Sequence, residues 1–221
     1  MYLRQIRSEY GFSGSGKSVL VNGLIYTALF HSPALSQFIL IDPKRVELFD
    51  YKLLPHTIQY SSEPNTMIKA LESAMNITEN RYSEMQGKGL KKWTGGNVYV
   101  IIDELADLMN TNRKTVQPVL QRLCQIGRAA KIHVIACTQT PISAVIPTQI
   151  KVNFDSRFIL RTRTAQDSRN LMDRTGAELL PRYGQAYYST PEHIPPALVS
   201  VPMISDQEIS ARVKYWRHQA R

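Results

Sequence analysis

Gly11-Phe12-Ser13-Gly14-Ser15-Gly16-Lys17-Ser18 fits the spacing G-x-x-x-x-G-K-[ST] without a gap. Glycines let the backbone curl so that successive N–H groups point inward at an anion, and a helix opening at the lysine adds its positive dipole end. The chemistry this spacing serves is the gripping of a triphosphate. Lys17 is placed to reach the β and γ phosphates and the Ser18 hydroxyl to ligate Mg²⁺, with Val19 closing the set of nucleotide-binding residues. The plain alternative is a flexible Gly/Ser turn with a chance lysine, against which stands the helical run from Val19 to Phe30 that the motif opens.

A second constellation follows an apolar run, Val98-Tyr99-Val100-Ile101-Ile102, and consists of Asp103 and Glu104. A carboxylate fixed at a strand end holds the water shell of Mg²⁺, the role expected of Asp103, and a second one polarises the attacking water, the role of general base expected of Glu104. Neighbouring side chains on a strand point to opposite faces, so both acids serve one site only if the strand stops there and the backbone turns. Thr138-Gln139 ends a third apolar run, and the Gln139 amide is a candidate contact to the γ phosphate or the lytic water. Acids that merely cap a strand and a polar start to a loop are the ordinary readings of these two places.

The elements that must position these groups are legible as apolar runs. Phe38–Ile41, Val98–Ile102, Ile132–Cys137 and Phe154–Leu160 read as strands, and Lys17–Phe30, Pro64–Met85 and Thr115–Ala130 as helices between them. Three of the four strands end in polar residues. Such alternation predicts an α/β fold, a mostly parallel sheet covered on both faces, with ligands at the carboxyl ends of the strands. Gly87–Gly96 reads as an exposed connection, and Ser189–Pro202, with four prolines, as a segment running extended over the surface before a last helix from about Asp206. The lead-in Met1–Tyr10 carries charges that a central strand does not bury easily, so this strand is expected either to be short and irregular or to have lost its natural start, the second being preferred.

Composition narrows the classes. At 221 residues, 43% hydrophobic and 20% charged, the chain suits one ordinary folded domain spanning 1–221, not a disordered or fibrous one. Two cysteines among apolar neighbours, without a charged-then-apolar leader, point to a reducing, cytoplasmic setting. No apolar run approaches the roughly 18 residues of a membrane span, so no direct membrane contact is expected from this chain. Lys and Arg number 27 against 18 Asp and Glu, a net +9. From Asn110 to Phe154 there is no carboxylate, whereas Arg113, Lys114, Arg122, Arg128, Lys131 and Lys151 fall there. That block is either an anion path or a solvated helix face.

In their order along the chain these motifs resemble the motor domain of the FtsK/SpoIIIE family of DNA translocases. The glycine-rich loop is similar to the family's Gly-x-x-Gly-Ser-Gly-Lys-Ser, and Ile41-Asp42-Pro43-Lys44, with Glu47-Leu48 and Pro55-His56, to its Ile-Asp-Pro-Lys segment. Ile102-Asp103-Glu104-Leu105-Ala106-Asp107-Leu108 resembles its Walker B block, and Gly127-Arg128-Ala129-Ala130-Lys131-Ile132-His133 with Thr138-Gln139-Thr140-Pro141 its Gly-Arg-Ala-x-Gly-Ile-His and Thr-Gln-Arg-Pro pair. Asp167-Ser168-Arg169 and Gly176-Ala177-Glu178-Leu179-Leu180 complete the order. Thr140 stands where an arginine is usual and Lys131 where a glycine is usual.

The resemblance implies a RecA-like P-loop NTPase core acting as a homohexameric ring around double-stranded DNA, with ATP and Mg²⁺ between subunits. It implies a stripped or excised motor, without the family's membrane segment or winged-helix module. It also implies an arginine contributed in trans to the transition state, assigned to Arg157 with Arg128 as the alternative. Lys151, Arg163 and Arg169 are the candidate contacts to DNA phosphates, surface solvation being their ordinary reading. Related motors that move protein, and a nucleotide-binding scaffold without turnover, remain as alternatives.

Overall fold

Within each central strand, successive apolar residues belong to two different cores. A computed structural model describes residues 8–10, 16–139, 153–154 and 156–219. In β2 (Ser36–Ile41), β4 (Asn97–Ile102) and β5 (Ile132–Thr138) nearly every residue is buried, as a sheet covered on both faces requires. Ile39, Ile41, Val98, Val100, Ile102, Ile132 and Val134 face one core, shared with α2 (Pro64–Gly87), α3 (Leu105–Thr111) and α4 (Arg113–Ile126). Phe38, Leu40, Tyr99, Ile101, Ile135 and Cys137 face the other, against α1 (Lys17–Ala28) and Val213 of the last helix. The period-two alternation of side chains, combined with apolar residues at both phases, is what produces two cores from one sheet.

The strand order is β3-β2-β4-β5-β1-β6-β7-β8, where β1 is Ser8–Tyr10, β3 Thr57–Ser61, β6 Arg157–Ile159, β7 Gln185–Thr190 and β8 His193–Ser200. The six strands from β3 to β6 pair in parallel. The expected α/β fold with a mostly parallel sheet and helices on both faces is the fold observed. β1 is three residues long and lies centrally between β5 and β6.

Three features depart from the expectation. β3 has no apolar run to announce it, because it is a half-buried edge strand. The stretch 105–111 forms a separate helix, α3, and the following helix runs 113–126, its start capped by Asn112, whose Oδ1 accepts from Thr115 N at 3.3 Å. Ser189–Pro202 is extended but does not simply cross the surface. β7 (Gln185–Thr190) and β8 (His193–Ser200) form an antiparallel hairpin on the sheet. Pro195 and Pro196 are tolerated because β8 is the edge strand, where a missing N–H on the free side breaks no ladder, and because the pairing with β7 shifts register at this place. Helix α5 (Ala165–Met172) lies between β6 and this hairpin in sequence, and α6 (Asp206–Gln219) begins where the sequence placed it.

His56, buried beside Phe38 and Trp216, ties two loops together. Its Nε2–H donates to the His31 carbonyl at 2.9 Å, and its Nδ1 is buried with no partner among the described residues. A second proton would therefore enter an apolar space without an acceptor, and burial lowers the imidazole's pKa below 6.5. The folded ring stays neutral where the unfolded ring takes up a proton, so this site's contribution is complete above pH 6.5 and declines as pH falls below it. Thermal unfolding between about pH 7 and pH 5 should show a wild-type Tm that drops more steeply than that of His56→Gln. Parallel pH profiles for the two proteins would contradict this account.

Candidate nucleotide-binding and hydrolysis site

The parallel strands deliver their polar ends to one edge of the sheet. β2 ends at Asp42, β4 at Asp103 and Glu104, and β5 at Thr138 and Gln139. α1 begins at the same edge with Lys17, preceded by Gly16 in the left-handed region at φ 98°. Glycine enters this region without the Cβ penalty other residues meet, which fits its place at the mouth of the helix. Gly11, Phe12, Ser13, Gly14 and Ser15 lie outside the described residues.

Lys17 and Asp103 form a buried pair, 5% and 1% exposed. The ammonium donates to Asp103 Oδ1 at 2.5 Å and to the Asp103 carbonyl at 2.8 Å, so the described residues take two of its three donors. Burial pulls the Lys17 pKa down, but its electrostatic interactions with Cys137, Asp103 and Glu104 and its hydrogen bond to Asp103 more than offset this and raise it above 10.5. The cation is thus secured in the interior by its surroundings. Asp103 Oδ2 is buried with no hydrogen-bond partner among the described residues.

Glu104 stands clear of β4. The strand stops at Ile102, and Glu104 is the N-cap of α3, so the backbone turn needed for two neighbouring acids to work at one edge is present. Its carboxylate is 3% exposed and held by donors. Oε1 accepts from Thr138 Oγ1 at 2.5 Å and from Ala106 N at 3.4 Å, and Oε2 accepts from Gln139 N at 3.1 Å. Lys44 Nζ is 3.7 Å from Oε2. The main chain of Gln139, not its amide, makes this contact, and the Gln139 side chain is exposed. Thr138 and Lys44 are therefore site residues to which the sequence assigned no such contact, although both lie inside the quoted motifs.

Asp42 is the third buried acid at this edge. Its Oδ2 accepts from Leu48 N at 3.0 Å and from the Tyr60 hydroxyl at 3.3 Å, which folds the 42–48 loop back on itself. Burial first, and then the Asp42 charge, push the Tyr60 phenol up to about 12.

The basic candidates are dispersed. Arg157 is half-buried at the start of β6 and its Nη1 donates to the Leu171 carbonyl at 3.3 Å, whereas Arg128 is exposed in the turn before β5. Arg163 and Arg169 are exposed, in the segment after β6 and on α5, and Lys151 lies outside the described residues. Arg113, Lys114 and Arg122 are exposed on α4. Lys131 instead donates to the Gly95 carbonyl at 3.0 Å and adopts φ 54°, the left-handed conformation that explains why a glycine suits that position. Before it, Gly127 is obligatory in another way: a Cβ there would come within 2.6 Å of the Leu123 carbonyl and 2.7 Å of the Ile132 carbonyl.

The model of the FtsK/SpoIIIE family matches residues 10–98 and 96–143, more than half of the chain and the whole of this site. The chain belongs to the FtsK/SpoIIIE family. It is 33% identical over 244 residues to the DNA translocase FtsK 1 of Neisseria meningitidis serogroup B, an alignment covering 95% of this chain and 30% of that protein. The chain thus spans about a third of the length of the curated relatives it matches. The fold is shared with the conjugation coupling protein TcpA of pCW3, in its monomer form with ATPγS, at a TM-score of 0.81 and 22% identity over 96% of this chain and 64% of that one. It is shared equally with the cytoplasmic domain of the Type VII secretion ATPase EccC of Thermomonospora curvata, at a TM-score of 0.81 and 17% identity over 96% of this chain and 28% of that one. Among the described residues no helix is long and apolar enough to cross a membrane.

Proposed function

We propose that this family member is an ATP-hydrolysing motor that moves double-stranded DNA, working as a ring, by expectation a homohexamer, with the nucleotide between subunits. One observation carries the reading: the lysine of the phosphate motif and two consecutive buried acids converge at the carboxyl edge of a parallel sheet, with Lys17 Nζ 2.5 Å from Asp103. Lys17 supplies a fixed positive charge to the β and γ phosphates. Glu104 is the general base, its carboxylate aimed by Thr138 and by the main chain of Gln139.

The residues fit Mg²⁺. The unpartnered buried Oδ2 of Asp103 and the Ser18 hydroxyl on the first turn of α1 are oxygen donors of the kind Mg²⁺ takes alongside phosphates and water, so no larger cluster of protein ligands is required. When bound, the ion would draw off negative charge that develops on the phosphate oxygens.

A ring places a neighbour's arginine at this edge. Arg157 keeps that assignment from the family pattern, and Arg128 is the alternative that solvent exposure favours. Arg163, Arg169 and Lys151 are the candidate phosphate contacts to DNA. The relatives' name, DNA translocase, favours nucleic acid as the cargo, whereas the secretion ATPase neighbour keeps a protein cargo as a second reading.

The deciding measurement is the ATPase rate with and without linear duplex DNA. Strong stimulation that weakens as salt rises is expected, since phosphate contacts release counterions. Turnover indifferent to DNA would favour the protein-moving reading, and no turnover at all would leave a nucleotide-binding scaffold.

A further inference from the structure

The loop that enters β7 brings an aromatic ring to the phosphate-binding edge. β7 runs antiparallel to β6, with Ile159 opposite Tyr187, and β6 is in register with β1, Tyr10 opposite Ile159. The residues just before β7 therefore lie level with the carboxyl end of β1, from which the chain proceeds toward Lys17. Outside its chain neighbours, the nearest described atom to the position a Cβ would take on Gly16 is Tyr183 Cδ1, at 4.0 Å. Sheet order puts Tyr183 and the acids on opposite sides of this point: Asp103 and Glu104 come from β4, two strands to one side of β1, and Tyr183 from the loop into β7, two strands to the other.

Core packing does not account for this ring. Tyr183 is 58% exposed, and the backbone turns sharply after it at Gly184, φ 84°, where a Cβ would meet nothing within 4 Å. The Arg182 guanidinium carbon stands 5.6 Å from the ring centroid, a cation beside an aromatic face at the edge of an anion site. A triphosphate whose γ end lies beside the Lys17–Asp103 pair and Glu104 has its nucleoside end directed the other way across the start of α1, toward Tyr183.

We infer that Tyr183, flanked by Arg182, is the platform on which the base of the bound nucleoside triphosphate stacks. The inference rests on the nucleotide reading of the site and adds to it the residue that holds the base. Stacking on a tyrosine face tolerates any base and requires no hydrogen-bond donor, which suits an exposed ring on a turn.

Calorimetric titration of the full chain with ATP and with inorganic triphosphate tests it. Tyr183→Ala should weaken ATP binding about tenfold, the effect of losing one stacked base, and leave the Kd for triphosphate unchanged. Tyr183→Phe, which keeps the ring, should bind ATP as the wild type does. Wild-type ATP affinity in Tyr183→Ala, or an equal loss toward ATP and triphosphate, overturns the platform while leaving the proposed motor intact. A wild-type chain that binds neither ligand removes the nucleotide reading itself, and the platform with it.

Discussion

Glu104→Gln should bind ATP with close to wild-type affinity and hydrolyse it at least about a hundredfold more slowly, the usual contribution of a positioned general base. The substitution keeps the shape of the side chain and leaves one oxygen to accept from Thr138 Oγ1 and Ala106 N. It replaces the other oxygen by an amide nitrogen facing Lys44 and the Gln139 N–H, so Lys44 loses this acceptor and Gln139 N keeps only its longer contact to the retained oxygen, at 3.3 Å. The cost to folding is that of one unsatisfied contact, about 1–3 kcal/mol, so the protein remains folded and can be assayed. Lys44 adds little to this, because its ammonium is largely hydrated. Single-turnover hydrolysis measured alongside equilibrium binding separates the two properties. Normal hydrolysis by Glu104→Gln would remove Glu104 from the role of base.

Lys17→Ala should lose tight ATP binding and, separately, lose stability. The second effect comes from Asp103, whose carboxylate is 1% exposed and would be left without its cation. Breaking a buried pair by removing one partner costs about 3–5 kcal/mol. The double substitution Lys17→Ala with Asp103→Asn removes the stranded charge and should recover much of the lost stability, but none of the binding. Denaturant unfolding and nucleotide titration of the two variants check this. Equal stability in both would show that the stranded Asp103 charge costs the fold nothing. In the wild type the pair's contribution is present below pH 10.5 and is lost as pH rises through the raised pKa of Lys17.

The chemistry was legible in one dimension because it depends on short, contiguous spacings. A phosphate loop requires glycines and a lysine at fixed intervals, and the acid pair requires an apolar strand directly before it, so Lys17, Asp103 and Glu104 stand out from residue types and spacing alone. The two-faced sheet was legible for a related reason. Runs such as Phe38–Ile41 and Val98–Ile102 are apolar at both phases of the strand repeat, which only a sheet covered on both sides explains.

Edge elements were not legible in the same way. Thr57–Ser61 and Gln185–Thr190 are half-buried and mixed in polarity, and the prolines of His193–Ser200 read as irregular until an edge position and a register shift against β7 make them harmless. What the sequence determined alone was the kind of chemistry and the family, since these follow from residue types at fixed local spacing. Only the tertiary structure decided that Thr138 and Gln139 aim Glu104, that Asp103 neutralises Lys17, and that Tyr183 stands over Gly16. Each of these contacts joins residues 34 or more positions apart, brought together by strand order, and strand order is a property of the packed sheet.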